Sequence, residues 1–111
     1  MKILFDQMND TVLEKFNGGE GRLVAKMYND GKTKILRGLL APGHTVGLHT
    51  HVTSSEIIYI LSGNGKVLCD GEYETVTAGD CHFCPQGHEH SLINDSDADL
   101  TFFAVVPELN A

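Results

Sequence analysis

The sequence predicts a single all-β domain, a sandwich or barrel for which a jelly roll is the natural solution. Three observations carry this expectation. Eight or nine short runs rich in apolar and β-branched residues follow one another, turn residues recur every six to twelve positions, and no helix-period pattern spans ten residues. A length of 111 residues fits one domain, 1–111, with a core of its own and no need of disulfide staples.

The elements follow in order. The segment 1–16 is mixed. Asp10 followed by Thr11-Val12-Leu13-Glu14 resembles a helix N-cap and a short turn, so a short N-terminal arm or helix is expected there. Asn17-Gly18-Gly19-Glu20-Gly21 is a loop. Arg22–Asn29 alternates well enough for a strand, Asn29-Asp30-Gly31 is hairpin-turn chemistry, and Thr33–Leu40 returns. Ala41-Pro42-Gly43 is a further turn. Residues 56–61 form a strand that closes at a tight turn, Ser62-Gly63-Asn64-Gly65. Residues 66–69, Asp70-Gly71 and 73–76 read as strand, turn and strand. After the turn at 77–80, Cys81–Cys84 is a short strand stopped by Pro85. Residues 90–93 form a strand, 94–99 a polar loop, and 100–106 the last strand, stopped by Pro107.

Composition removes several function classes. A formal charge of −7 argues against nucleic acid, whose binding rests on clustered Lys and Arg, and against docking on an anionic membrane. No apolar run approaches the ~20 residues of a membrane span. The N-terminus has one Lys and too short an apolar run for a secretory signal, so the expected location is the cytoplasm. Three cysteines are an odd count, which argues against a disulfide framework. Cys81 and Cys84 have the spacing of a redox or zinc pair, but no second such pair exists. The plainer alternative is two small buried residues on a strand.

The chemistry concentrates in the stretch 43–63. His49 and His51 are two residues apart, so on a strand they share a face and can reach one metal ion. Glu56 has the wrong parity for that face on a straight strand. Thr53-Ser54-Ser55 is turn chemistry, and a reversal there would bring Glu56 back toward the two histidines.

A second stretch, 79–94, reads G-x5-P-x-G-x2-H-x3-N, and the first reads G-x5-H-x-H-x4-E-x6-G. Together they resemble the two signature motifs of the cupin superfamily, at Gly43, His49, His51, Glu56 and Gly63, then Gly79, Pro85, Gly87, His90 and Asn94. The short spacer between them is similar to that of small single-domain bacterial cupins. The resemblance implies a jelly-roll barrel (a double-stranded β-helix) holding one metal on His49, His51, Glu56 and His90, with the glycines and Pro85 in turns and Asn94 in a structural position. Imidazoles with one carboxylate suit Fe, Mn, Ni, Zn or Cu as the divalent ion. Four protein ligands on an ion that prefers six leave two positions for water, substrate or dioxygen.

Around that site, Ile58 and Ile60 share the parity of Glu56 and are expected to line the interior, with Tyr59 on the opposite face. Phe102 belongs to one apolar face of the last strand, with Leu100, Ala104 and Val106, and Ile58, Ile60 and Phe102 are candidates to contact the substrate. The other face, Thr101, Phe103 and Val105, is also largely apolar, so a subunit interface is expected to cover it. The resemblance implies a homodimer as well. Arg37 is a candidate for a substrate carboxylate or else an exposed arginine. His88 is a candidate proton shuttle at the pocket rim or else an exposed loop residue. His44 is expected to be exposed. Either His82 and Cys84 or Cys81 and Phe83 face the interior.

The leading functional expectation is a metal-dependent enzyme acting on a small carbonyl or carboxylate compound, by dioxygenase, isomerase or lyase chemistry. The alternative is a binding or sensing module that uses the metal only to hold a small ligand. The fold by itself does not choose between them.

Overall fold

The computed structural model describes residues 1–109. Ten strands are present: β1 (Thr11–Glu14), β2 (Arg22–Asn29), β3 (Thr33–Leu40), β4 (His49–Thr50), β5 (Glu56–Ser62), β6 (Asn64–Cys69), β7 (Glu72–Thr77), β8 (Cys81–Cys84), β9 (Glu89–Ile93) and β10 (Leu100–Pro107). They build two antiparallel sheets. Six strands run in the order β1-β2-β3-β10-β5-β8 and four in the order β4-β9-β6-β7. This is the jelly-roll arrangement expected from the sequence. No helix among the described residues is long and apolar enough to cross a membrane.

The core lies between the sheets. From the larger sheet Leu23, Leu36, Leu40, Ile58, Ile60, Leu100 and Phe102 point inward, and from the smaller sheet Val67, Val76 and Leu92 meet them. Alternation along each strand puts these residues on one face, as the period of two requires. Burial at about 25 cal/mol per Å² of apolar surface is what makes this closure favourable. His82 and Cys84 face inward, while Cys81 and Phe83 are exposed, which resolves the alternative left open by the strand pattern. Cys81 and Cys84 therefore point to opposite faces and make no pair. Burial pushes the Cys84 thiol up to about 12, with the nearby charges of Cys69 and Glu56 adding to the shift.

One expectation needs correction, and two others gain detail. Residues 11–14 are a strand, not a helix: β1 pairs with β2 over Thr11↔Ala25 to Glu14↔Arg22. Only 3-10 turns flank it, at Phe5–Gln7 and Phe16–Gly18. The tight turn after β5 is no hairpin, because β5 and β6 lie in different sheets. The chain crosses between sheets at Gly63, whose φ is +87° and where a Cβ would stand 2.3 Å from the Asp99 carbonyl oxygen, so only glycine fits. Thirdly, the outer face of β10 is partly covered by the chain itself. The Phe5 ring packs edge-on against Phe103 at 6.2 Å, and Arg37 ties down the same arm through Asp6 at 2.8 Å.

Candidate metal centre

Two residues of strand and one sharp reversal assemble the site. β4 is only His49–Thr50, and it pairs with β9 so that His49 stands directly opposite His90. The chain beyond β4 is held by the loop before β9: the His51 N–H donates to the His88 carbonyl at 3.0 Å, and the Gly87 N–H donates to that of His51 at 2.7 Å. Residues 52–55 then carry the chain from the smaller sheet to the larger. Glu56 begins β5, opposite Cys84 of β8. The reversal around Thr53-Ser54-Ser55 thus turns the carboxylate of Glu56 toward the histidines, despite its odd offset.

The donor atoms converge. His51 Nε2 lies 3.1 Å from His49 Nε2, 3.0 Å from His90 Nε2 and 3.0 Å from Glu56 Oε1. His90 Nε2 is 2.8 Å from Glu56 Oε1, and His49 Nε2 is 3.8 Å from it. All four ligand atoms lie within 4.8 Å of one another. Donors about 2.1 Å from a shared ion and at right angles to one another stand about 3.0 Å apart.

The remote ring nitrogens support the same arrangement. His49 Nδ1 lies 2.7 Å from the Gly47 carbonyl, which only accepts, so Nδ1 carries the hydrogen and neutral His49 presents a bare Nε2 lone pair to the cluster. His51 Nδ1 meets the Ser54 hydroxyl at 2.9 Å, and His90 Nδ1 meets His82 Nε2 at 3.0 Å. Lone pairs and a carboxylate gathered this closely repel unless a cation or shared protons lie between them. Burial would push the Glu56 carboxyl up, but its contacts with His49, His51 and His90 outweigh it and hold it well below the usual range. Burial likewise pushes His49 down, while Glu56 and the Gly47 carbonyl raise it further, for a net rise above 6.5. The cluster is compatible with a divalent metal.

A cavity of about 250 Å³ opens onto these donors. Its walls include Leu23, Leu36, Val46, Ile58, Leu92 and Phe102, and polar atoms come from Asn17, Lys34 and Ser54. Asn17 sits on the turn after β1, which is docked by the Gly47 N–H donating to the Phe16 carbonyl at 2.9 Å. Lys34 is exposed and shares the inward parity of Leu36, which puts it at the rim, where its charge opposes protonation of His49.

Of the residues singled out in the sequence, His49, His51, Glu56, His90, Ile58 and Phe102 come together at this cavity. Ile60 is fully buried in the core but does not line it. Arg37 points to the outer face of the larger sheet, where it pairs with Asp6 and lies 5.5 Å from the Phe5 ring. The strand parity that brings Lys34 and Leu36 inward turns Arg37 out. His88 is half-exposed, pairs with Asp70 on the far side of the loop and does not line the cavity. His44 is half-buried rather than exposed, because it accepts from the Arg22 N–H at 3.2 Å. Asn17, Lys34 and Ser54 are polar residues that sequence reasoning did not assign to the site, and His82 was placed there only as one of two alternatives. Parity with Leu36 was the available signal for Lys34. The polar partners of His51 and His90 had none.

Asn94, the last residue of the second motif, is fully buried outside the cavity. It donates to the Leu40 and Ala98 carbonyls at 2.8 Å each and accepts from the Ser96 hydroxyl at 2.7 Å. It holds the 94–99 loop to the end of β3.

Comparison with known proteins matches this architecture. An oxalate-binding protein of Thermotoga maritima is 36% identical over 100 residues, covering 85% of this chain and 83% of that protein. A crystal structure from Thermotoga maritima, described as a predicted oxalate decarboxylase, superposes with a TM-score of 0.91 at 31% identity, over 98% of this chain and 100% of that one. A sugar phosphate isomerase of the cupin superfamily from Silicibacter pomeroyi shares the fold alone, with a TM-score of 0.80 at 20% identity, over 97% of this chain and 76% of that one. The family model for the cupin domain matches residues 36–106, a span that contains both motifs and all four converging donors. The chain belongs to the cupin family.

Proposed function

We propose that the protein holds one divalent transition metal (Fe, Mn, Ni, Zn or Cu) on His49, His51, Glu56 and His90 and uses it to take up a small carboxylate of the oxalate type. The observation that carries this reading is the pairing of a buried three-histidine, one-carboxylate cluster with a single cation, Lys34, at the rim of the same apolar cavity. A bound metal of this kind supplies Lewis acidity and open positions that a chelating carboxylate fills. The chain's own residues do the rest. Ser54 orients His51, Ile58 and Phe102 exclude water, and the Lys34 ammonium offsets the charge of the bound anion. A volume of about 250 Å³ is below the ~300–1,000 Å³ of pockets for drug-sized ligands, which favours a ligand of few atoms. The oxalate-binding relative supports the ligand class.

Holding the ligand without turnover is the version the side chains favour. Among the described residues no Asp, Glu, His, Cys or Tyr besides the four donors lines the cavity, so Lys34 is the remaining protein group for proton transfer. An enzymatic version has one specific support, the likeness to a predicted oxalate decarboxylase. Decarboxylation of oxalate exchanges carbon dioxide for a proton and yields formate, so it needs a proton from Lys34 or water. Oxygenase, isomerase or lyase chemistry would likewise rest on the metal and water.

Calorimetry with metal-stripped and Mn(II)-loaded protein tests the reading. One metal per chain is expected, with oxalate binding only after loading, and Lys34→Met should weaken oxalate about tenfold or more without weakening the metal, as loss of a charge-assisted contact to the anion predicts. Equal oxalate binding without metal would sink the proposal. Formate release from loaded protein would establish the enzymatic version. We also propose a homodimer through the outer face of the larger sheet, where Ile57, Tyr59, Leu61 and Phe83 remain exposed. A monomer in sedimentation at micromolar concentration would refute it.

A further inference from the structure

His90 has a second polar neighbour that metal binding does not itself require. Its Nδ1 lies 3.0 Å from Nε2 of His82, which is buried on β8 opposite Ile58. The other ring nitrogen of His82, Nδ1, lies 3.5 Å from Oε1 of Glu74, on β7 of the opposite sheet. Glu74 is about two-thirds exposed, and neither it nor His82 lines the cavity. A polar chain therefore runs from the donor cluster to solvent by a route separate from the cavity.

We propose that Glu74 and His82 are positioning residues that fix the tautomer and orientation of the His90 ring. The inference rests on the proposed metal site, since it takes His90 Nε2 as a donor. Its logic is the placement of hydrogens. If Nε2 of His90 offers a lone pair, the hydrogen of the neutral ring is on Nδ1 and donates to His82 Nε2. His82 Nε2 is then an acceptor, so the hydrogen of that ring is on Nδ1, facing the Glu74 carboxylate, which only accepts. Each assignment forces the next, and every buried nitrogen finds a partner. The opposite assignment puts a hydrogen on His90 Nε2, inside the donor cluster, and turns a bare His82 nitrogen toward a carboxylate oxygen. His82 is otherwise hard to account for, because a buried imidazole among Ile58 and Cys84 is costly unless hydrogen-bonded. His49 and His51 have their remote nitrogens fixed by a backbone carbonyl and a hydroxyl, so His90 is the donor held through a second imidazole from the other sheet and a carboxylate beyond it. Such outer partners typically carry 10–100-fold in metal affinity.

The test uses the full chain as wild type, His82→Phe, His82→Gln and Glu74→Gln, each checked for β structure by circular dichroism. Mn(II) and Zn(II) affinities are measured by competition with a chromophoric chelator. His82→Phe should weaken both metals about 10–100-fold, Glu74→Gln less, and His82→Gln, which keeps an acceptor oxygen, should recover part of the loss. A second readout is proton NMR of the Co(II)-loaded protein, in which the shifted exchangeable signal of the His90 Nδ1–H should broaden or vanish in His82→Phe and exchange faster in Glu74→Gln. If His82→Phe does not fold, Glu74→Gln at its exposed site decides by the same two measurements. Wild type that binds metal, with affinities within twofold and an unchanged N–H signal in every folded variant, overturns the relay alone. Wild type that binds no metal overturns the site and the relay together.

Discussion

Placing a methyl group on Gly38 tests how the cavity wall is built. Gly38 of β3 and Phe102 of β10 are cross-strand partners on the inner face, and the Phe102 ring occupies the space that a side chain at 38 would fill. A Cβ at Gly38 would lie 2.4 Å from Cζ of Phe102 and 2.8 and 2.9 Å from its two Cε atoms. Carbon atoms settle about 3.5–4.0 Å apart, so the nearest ring atom must retreat by roughly 1.1–1.6 Å. Phe102 is 2% exposed and cannot retreat to solvent, and the free volume beside it is the cavity that it lines. Overpacking of this kind costs about 1–3 kcal/mol. At about 4 °C per kcal/mol for a domain near this size, Gly38→Ala should lower Tm by about 4–12 °C. Because the ring moves into the cavity, oxalate affinity should fall while metal affinity holds. Adding Phe102→Leu should return part of the loss, so the two costs should fall short of additive by about 1 kcal/mol. Differential scanning calorimetry of the four proteins gives the cycle. A Gly38→Ala variant melting within 2 °C of wild type, or strictly additive costs, would refute the argument.

Three further outcomes follow from the same geometry. Asn94→Ala should cost about 1–3 kcal/mol in chemical denaturation, because it removes a donor from the buried Leu40 carbonyl and leaves the Ala98 carbonyl with only the Ser96 hydroxyl. The metal-free and loaded proteins should respond oppositely to pH. A folded His49 raised above 6.5 contributes stability that is present below 6.5 and lost as pH rises through the folded value, whereas Glu56, held well below 4.5, contributes stability present above 4.5 and lost as pH falls through its folded value. Metal needs the unprotonated ring, so its affinity should instead begin to weaken above pH 6.5 as pH falls, and Tm against pH with and without Zn(II) reads both trends. Finally, Arg37 holds the Asp6 carboxyl below its usual 3.8, so docking of the N-terminal arm should survive until pH drops past that depressed value. Hydrogen exchange at residues 4–8 should then rise, and Asp6→Asn should raise it already at neutral pH.

Much of this molecule was legible from the residues alone because strand chemistry is local. Arg22–Asn29, Thr33–Leu40 and Cys81–Cys84 begin and end where alternation and turn residues put them. The converging donors were legible for a related reason: two histidines two apart share a face in any strand, and turn chemistry at 53–55 licenses the return of Glu56. The run Thr11-Val12-Leu13-Glu14 was not legible. Four residues are too few for either period to declare itself, and its strand exists because β2 offers an edge to pair with.

The sequence by itself determined the strand pattern, the motif spacing and which side chains share a face. Only the tertiary structure decided which face is the inside. Alternation assigns Lys34 and Leu36 to one side of β3 and Arg37 to the other, and His82 and Cys84 to one side of β8, but it is symmetric between the two sides. That symmetry is broken by long-range pairing. Phe102 opposite Gly38 seals the inner side of β3, and Glu56 opposite Cys84 turns His82 toward His90. Lys34 rather than Arg37 thus reaches the cavity rim, and His82 rather than His88 stands beside the donor cluster, because pairings such as Gly38–Phe102 and Glu56–Cys84, between residues far apart in the chain, set the orientation of each strand.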